Sequence, residues 1–258
     1  MIVSLWKEMI IIDMNKKVVV VTGVASGIGK SVSEKYIKKG FLVCGIDIIH
    51  IGLSGKVDGY VCDVSDEDAV KHVFSKIREK YDNINYVINC AGIFFDKERF
   101  LIEDMQMSEW ERVYKTNLSS CMIVTKYSIP LLKNAKGDKA IVNVSSDQAI
   151  FPRKKNSAYS VTKAGIENFT RACSVELLEN HIRANCILPA SVRSDFVRKI
   201  VKNKAELEEI YERENEKMPL GVIEPNEVAE LVYFLGSEKS SKITGQAVLM
   251  DSGLYCGG

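Results

Sequence analysis

Short apolar runs rich in β-branched residues recur along this chain, and between them lie stretches whose apolar positions repeat with helical spacing. The first three elements, read from "KKVVVVTG", "GKSVSEKYIKKG" and "FLVCGID", are predicted as a strand, a helix and a second strand. Because a crossover helix joins strands that run in the same direction, this βαβ unit predicts parallel pairing.

The same alternation continues toward the C-terminus. Further strands are predicted in "DGYVCDV", "INYVINCAG", "KAIVNVSS", "IRANCILPA" and "QAVLMD", and helices over 66–80, about 108–133, 157–180 and 202–219 and in "EPNEVAELVYFLGS". Strands that are apolar at nearly every position are typical of a sheet covered on both faces. We therefore predict one α/β domain of Rossmann type over 17–258, with a doubly wound, parallel, seven-stranded sheet, preceded by an N-terminal extension over 1–16.

Charge and cysteine usage narrow the classes of function. Lys and Arg number 35 against 34 Asp and Glu, so no basic field exists to hold nucleic acid or an anionic membrane. The seven cysteines are scattered and form no C-x-x-C motif, which argues against a disulfide framework or a metal site and favours a reducing cytoplasm. The apolar patch near the N-terminus is interrupted by Lys7 and Glu8 and is too short to span a membrane. A small-molecule substrate is the expected partner.

The turn "TGVASGIG" lies between the first strand and the first helix and carries Gly23, Gly27 and Gly29, with Ser26 and Ile28 between them. Glycines at such a turn let backbone N–H groups and a helix N-terminus approach a pyrophosphate. Ordinary tight turns also use glycine, but the position between strand and helix favours a dinucleotide site.

Asp47 ends the second strand, 18 residues after Gly29. A carboxylate there can accept hydrogen bonds from ribose hydroxyls and would repel a 2′-phosphate, while Ile48 and Ile49 supply no cation. The sequence therefore predicts NAD as cofactor in preference to NADP. The alternative is a carboxylate that only caps a turn at the strand end.

The segment "AYSVTKAG" places Tyr159 one helical turn before Lys163. A free phenol has a pKa of about 10, and a nearby ammonium together with a cationic nicotinamide would lower that pKa toward neutrality. The pair then predicts a tyrosine acting as acid and base. A solvent-exposed pair on a helix surface is the alternative.

From Lys17 to Gly253 the chain resembles the short-chain dehydrogenases/reductases. The motifs that carry the resemblance are "TGVASGIG", "CDV", "NCAG", "TNLSS", "NVSS", "YSVTK", "PASVRS" and "ITGQAVLMDSG". The resemblance implies that Tyr159 exchanges the proton, that Ser146, 13 residues earlier, binds the substrate oxygen, and that Asn117 holds a water of a proton relay. It also gives Lys163 a second role in binding the nicotinamide ribose.

Further cofactor contacts follow from the resemblance alone. They are Asp63 and Val64 at the adenine, Asn89, Ala91 and Gly92 at the nicotinamide ribose, and Pro189, Val192 and Ser194 at the carboxamide. The chain departs from the family pattern at Cys90, where Asn or Ala is usual, at Ala190, where Gly is usual, and at Ser194, where Thr is usual.

Within the family, "NVSSDQAIFPRKKNSAYSVTK", the short connection after Asp47 and "VRSDFVRKI" are most similar to microbial aldose 1-dehydrogenases, which oxidise a cyclic aldose to its lactone. The predicted substrate contacts are Phe94, Gln148 and Asn156, beside Ser146 and Tyr159; Phe95, Asp147 and Phe151 are further candidates for the pocket wall. A 3-oxoacyl-carrier-protein reductase, another secondary-alcohol or steroid dehydrogenase, and a catalytically silent NAD-sensing regulator stay open as alternatives.

Two larger features complete the expectations. The segment 194–219 is rich in Lys and Glu and is predicted to form a mobile substrate lid, with an ordinary surface helix as the alternative. The helices over 108–133 and 157–180 carry apolar residues on more than one face, which with the family resemblance predicts a homotetramer.

Overall fold

The computed structural model describes residues 16–50, 57–94, 100–194 and 203–256. Within these ranges the strands are β1 (Val18–Thr22), β2 (Leu42–Asp47), β3 (Val57–Val61), β4 (Tyr86–Asn89), β5 (Lys139–Val144), β6 (Ile182–Pro189) and β7 (Ala247–Met250). They form one sheet in the order β3-β2-β1-β4-β5-β6-β7, and every neighbouring pair is parallel. The predicted seven-stranded Rossmann-type sheet is confirmed.

Helices connect the strands and cover both faces of the sheet. They are α1 (Gly27–Lys38), α2 (Glu67–Tyr81), α3 (Met107–Tyr114), α4 (Ser120–Asn134), α5 (Ser157–Glu176), α6 (Lys204–Lys217) and α7 (Pro225–Leu235). A π-helical turn, Lys115–Ser119, joins α3 to α4. The region predicted as a single helix over about 108–133 is therefore helical throughout, but it consists of α3 and α4 joined by this wider turn. No helix in the described ranges is long and apolar enough to cross a membrane.

Strand β1 shows why the apolar runs are unbroken. Val18 and Val20 pack in the cluster that includes α2 and α4, whereas Val19 and Val21 pack in the cluster that includes α1 and α7. Successive side chains of a strand point to opposite faces, so a strand with helices on both sides needs an apolar residue at every position.

The sheet order also fixes where a ligand can bind. The chain builds outward from β1 to β2 and β3 and then returns to place β4 on the other side of β1. Connections leaving β1 and β4 diverge there, which opens a crevice at the carboxyl ends of the strands. The predicted short connection lies between Asp47 and Val57, and the predicted extension lies at the N-terminus; residues 51–56 and 1–15 are outside the described residues.

Candidate active site

A cavity of about 460 Å³ lies at this crevice. Nearly all of the predicted site residues line it: Gly23, Ser26, Gly27, Ile28, Gly29, Asp47, Asp63, Val64, Ala91, Gly92, Phe94, Ser146, Gln148, Asn156, Tyr159, Lys163, Pro189, Val192 and Ser194. Asn89 and Asn117 are not on its wall, and Phe95 lies outside the described residues. The cavity is continuous from the glycine turn to Tyr159, so one elongated ligand can contact both ends.

The glycine turn is shaped to receive a pyrophosphate. Gly23 has a φ of +72°, and its N–H donates to the Ile46 carbonyl at 2.8 Å, which ties the turn to β2. A Cβ on Gly29 would lie 2.1 Å from the Gly23 carbonyl oxygen, so a side chain there is excluded. Helix α1 begins without a side-chain cap at Ser26 and without an acidic residue in its first turn. Its first N–H groups are therefore available to phosphate oxygens, which fits a dinucleotide cofactor.

Asp47 lies beside this turn at the end of β2. One carboxylate oxygen accepts a hydrogen bond from the Ala25 N–H at 2.9 Å, and the other accepts from the Ile49 N–H at 3.3 Å. These bonds fix the carboxylate at the cavity wall next to Ser26 and Ile48. The negative charge therefore lies where the prediction places the adenosine ribose.

At the other end of the cavity, α5 carries the tyrosine and lysine on one face. Tyr159 is buried with its ring edge-on to Phe94, at 4.8 Å between centroids. The Lys163 Nζ lies 5.5 Å from the centre of the Tyr159 ring and donates to the Val144 carbonyl at 3.0 Å. The alternative of a solvent-exposed surface pair is excluded by this burial.

Burial dominates the ionisation of both side chains. It raises the pKa of Tyr159, while a hydrogen bond from Ser146 lowers that pKa and the charge of Asp147 raises it. Burial also lowers the pKa of Lys163 to about 8. In the protein alone, burial therefore outweighs the groups that lower the Tyr159 pKa, and the predicted lowering by Lys163 together with a cationic nicotinamide stays a prediction.

The two adjacent serines after β5 have different roles. The Ser145 hydroxyl donates to the Lys163 carbonyl at 2.7 Å and so ties the end of β5 to α5. The Ser146 hydroxyl lies on the cavity wall, donates to Asp147 at 2.8 Å and accepts from the Gln148 N–H at 3.2 Å. The Ser145 hydroxyl is thus engaged by α5, and the predicted binding of a substrate oxygen by Ser146 stays a prediction.

Asn117 lies in the π-helical turn, behind the cavity wall. Its amide accepts from the Ile93 N–H at 2.7 Å and donates to the Ile93 carbonyl at 3.0 Å. A Cβ built on Gly92 would lie 3.2 Å from the Asn117 side chain and 3.7 Å from the Lys163 Nζ. The side chain therefore holds the loop that follows β4; the predicted water relay stays a prediction.

The side chain of Asn89 does not line the cavity, and the predicted place of Asn89 at the nicotinamide ribose stays a prediction. Its amide donates to the Asn143 side chain at 2.8 Å and lies within a buried polar layer that includes Thr125. The reason is the alternation of a strand, which turns the side chain of the last β4 residue toward β5 and α4. Ala91 and Gly92, two and three residues later, supply the cavity wall instead.

The structure adds residues that the sequence analysis did not identify. Arg153 lines the cavity, and the hydroxyl of Tyr255 donates to Asp147 at 2.8 Å from near the C-terminus. Glu214 on α6 also lines the cavity and accepts from the Ser191 hydroxyl at 2.7 Å. Arg153 lies in a loop without periodicity, Glu214 lies within the predicted lid without a pattern of its own, and the partner of Tyr255 lies 108 residues away in the sequence. No group of described residues forms a metal-binding cluster.

The described part of the predicted lid is a helix with a buried face. Leu207 and Tyr211 on α6 are buried, and the Tyr211 hydroxyl both accepts from the N–H and donates to the carbonyl of Ser194. Most of its Lys and Glu residues are exposed, whereas Glu214 lies on the cavity wall, and the predicted motion of this segment stays a prediction. Residues 195–202 of the predicted lid lie outside the described residues.

We still expect α6 to respond to ligand, because Tyr211 is bonded to Ser194 and Glu214 to Ser191 on the cavity wall. Backbone amides of α6 should exchange more slowly when cofactor and a substrate analogue are bound than without them, whereas amides of α2 should be unchanged. Hydrogen exchange measured by mass spectrometry checks this. Equal protection of α6 in both states would show a rigid surface helix and contradict a lid.

Comparisons with known proteins agree with this geometry. The family model described as enoyl-(acyl carrier protein) reductase matches residues 23–255. A 3-oxoacyl-[acyl-carrier-protein] reductase of Thermotoga maritima is 34% identical over 250 residues, covering 92% of this chain and 97% of that protein.

Two solved structures share the fold over nearly the whole chain. The ligand-free aldohexose dehydrogenase of Thermoplasma acidophilum has a TM-score of 0.88 and 32% identity and covers 95% of this chain and 96% of its own. A short-chain type dehydrogenase/reductase from Mycobacterium marinum has a TM-score of 0.83 and 25% identity, with 95% and 97% covered. With the glycine turn, the buried Tyr159 and the parallel sheet, these matches show that the chain belongs to the short-chain dehydrogenase/reductase family of oxidoreductases, which act on CH–OH groups with a nicotinamide cofactor.

Proposed function

We propose that this protein transfers a hydride between NAD and the C1 hydroxyl of an aldose, or another secondary alcohol, with Tyr159 as the acid and base. The observation that carries the proposal is the buried Tyr159 next to Lys163 and Ser146, on a cavity that continues to the glycine turn and Asp47. Bound NAD would supply the hydride acceptor at its nicotinamide ring. The protein supplies binding, orientation and proton exchange.

Each group near Tyr159 has a defined task in this mechanism. The Ser146 hydroxyl turns from Asp147 to the substrate oxygen and stabilises the charge that develops there. As the phenolate, which a cationic nicotinamide would favour, the Tyr159 oxygen would take the hydroxyl proton while the C–H bond breaks; as the phenol, it would donate its proton to the substrate oxygen when a carbonyl is reduced. Lys163 provides positive charge on the same helix face and, as its family role, holds the ribose. Burial of Tyr159 and Lys163 excludes water from these steps.

An aldose as substrate is supported by the amides at the catalytic end of the cavity. Asn156 is buried and donates to the Gln148 side chain at 2.8 Å, while its own side-chain oxygen has no partner. A buried amide oxygen without a donor is unfavourable by about 1–3 kcal/mol, so a ligand hydroxyl that donates to it would be bound selectively. Sugar hydroxyls offer such donors at several positions. The name of the Thermoplasma relative agrees with this choice.

A 3-oxoacyl-carrier-protein reductase is the second candidate. It is favoured by the Thermotoga relative, which is named for that reaction. An acyl chain offers no donor to Asn156, whereas the polar cavity end favours a polyhydroxylated substrate. Another secondary-alcohol or steroid dehydrogenase, or a silent NAD-sensing regulator, would require that the intact set of Asn117, Ser146, Tyr159 and Lys163 serves a different substrate or none.

A substrate screen tests the proposal directly. Formation of NADH would be followed at 340 nm with NAD and a panel of aldoses and polyols, and with steroids; acetoacetyl thioesters would be tested in reverse with NADH and NADPH. We expect an aldose to give the highest kcat/KM. A higher kcat/KM for the thioesters would overturn the aldose assignment, and no turnover with any alcohol or ketone would favour the silent regulator.

We also propose that the protein is a homotetramer in the cytoplasm. Exposed apolar residues lie along the helices of one side: Met107, Tyr114, Met122, Val161 and Val175. Burying such a surface against a second copy by two-fold symmetry would remove it from water. All seven cysteines are free thiols, as expected for a reducing compartment.

The assembly state can be measured by sedimentation velocity at micromolar concentration. We expect a single species of about four times the 28.9 kDa chain mass. Val161→Glu and Met122→Glu should dissociate it, because a charge would be buried at the contact, whereas Lys133→Glu, a charge reversal at the end of α4, should not. A stable monomer of the unmodified protein would contradict the proposal.

A further inference from the structure

Asp147 directly follows the serine of the site and is 2% exposed. One of its carboxylate oxygens accepts the Ser146 hydroxyl at 2.8 Å. The other accepts the Arg153 guanidinium at 3.0 Å and the Tyr255 hydroxyl at 2.8 Å. A buried carboxylate with three donors, one of them cationic, is fixed in position by charge-assisted hydrogen bonds.

Arg153 connects this carboxylate to the rest of the cavity wall. Its side chain is 40% exposed, and its second terminal nitrogen lies 4.0 Å from Glu214 on α6. Tyr255, the third partner, stacks on Phe151 with ring centroids 3.7 Å apart. The pair of Asp147 and Arg153 is thus held by the turn after β5, by α6 and by the C-terminal segment.

This arrangement constrains the Ser146 hydroxyl. The Ser146 hydroxyl donates to Asp147, its oxygen accepts from the Gln148 N–H, and it also lies within hydrogen-bonding reach of the Tyr159 phenol. The orientation of Ser146 is therefore set by the position of Asp147. Asp147 depends in turn on Arg153, since a buried carboxylate without its cationic partner would be strongly destabilised.

We propose that Asp147 and Arg153 are positioning residues, a compensated ion pair that orients Ser146 and balances the electrostatic field at Tyr159. The proposal rests on the proposed function in one respect, namely that Tyr159 exchanges the proton. Nothing in the family resemblance assigns a role to either residue.

The charged groups around Tyr159 support this balance. Lys163 faces it from its own helix, Asp147 from the turn after β5 and Arg153 from the following loop; Glu214 and Arg213 line the same cavity from α6. After burial and the hydrogen bond from Ser146, Asp147 raises the pKa of Tyr159 and Arg153 lowers it. Removing the charge of Asp147 should therefore lower the pKa of Tyr159, and removing the charge of Arg153 should raise it.

The test is a direct titration of Tyr159 that needs no substrate. Protein labelled with [ζ-¹³C]tyrosine is saturated with NAD, or with NADP where that binds more tightly, and the Tyr159 resonance is assigned by its loss in Tyr159→Phe. The titration midpoint is compared in the unmodified protein, Asp147→Asn, Arg153→Gln and the double variant. Asp68→Asn and Arg171→Gln, exposed residues away from the cavity, are the matched controls.

We expect Asp147→Asn to lower the midpoint by about one pH unit and Arg153→Gln to raise it by a similar amount. The double variant should return to within about 0.3 unit of the unmodified protein, and the controls should not move. General structural damage would not give opposite signs that cancel. Shifts of equal sign, or no shift in either folded single variant, would overturn the proposal; if Asp147→Asn does not fold, a raised midpoint in Arg153→Gln supports the proposal, and an unchanged or lowered midpoint overturns it. A failed substrate screen would leave this result intact.

Discussion

We expect Tyr159→Phe to lower kcat by about 10³-fold while the dissociation constant for NAD changes by less than about twofold. The substitution removes the hydroxyl and keeps the ring, which is buried against Phe94. The proton then has no acceptor, since the neighbouring Ser146 hydroxyl is far less acidic and Lys163 is directed to the Val144 carbonyl. Steady-state kinetics with the best alcohol substrate and fluorescence titration with NADH measure the two quantities.

Tyr114→Phe is a suitable control, because Tyr114 is exposed on α3 and does not line the cavity. Its kcat should equal that of the unmodified protein. If Tyr159→Phe instead keeps more than about 5% of kcat, a different group exchanges the proton and the proposed mechanism is wrong.

The second large effect concerns the choice of cofactor at Asp47. In the unmodified protein kcat/KM should be about 10²-fold higher with NAD than with NADP, because the carboxylate fixed by the Ala25 and Ile49 N–H groups would oppose a 2′-phosphate. Asp47→Ala should reduce this ratio to near unity by weakening NAD binding and removing the repulsion. Adding a cation, as in Asp47→Ala with Ile48→Arg, should reverse it.

Asp68→Ala provides the matched control, since this exposed carboxylate on α2 does not line the cavity and should leave the ratio unchanged. Initial rates over a range of each cofactor, at fixed substrate and ionic strength, give the ratios. Equal kcat/KM with both cofactors in the unmodified protein would contradict the assignment of NAD.

The sequence predicts those parts of the site whose positions follow from the local spacing of residues. Tyr159 and Lys163 share a helix face because they are four residues apart, and Gly29 follows Gly23 through a turn whose tightness leaves no space for a Cβ. The position of Asp47 follows from its place at the end of the apolar run that forms β2. In each case, spacing along the chain determines the position in space.

Other parts depend on contacts that no local pattern encodes. Tyr255 reaches Asp147 across 108 residues of sequence, and Arg153 lies in a loop without periodicity. The π-helical turn is also invisible in the sequence, since "KTNLS" has ordinary helical composition. The motif that contains Asn89 likewise gives its position but not the direction of its side chain, which donates to Asn143.

The two ends of the cavity are formed by different parts of the sequence. β1, β2 and β3 carry the glycine turn and Asp47, whereas the wall around Tyr159 comes from segments after β4 and β5 and from the C-terminus. On the proposed assignments, the choice between NAD and NADP depends on residues before residue 65, whereas the substrate contacts lie after residue 90 together with the predicted nicotinamide contacts. We therefore expect that recombination between relatives at the α2 segment exchanges the preference between NAD and NADP while retaining the substrate.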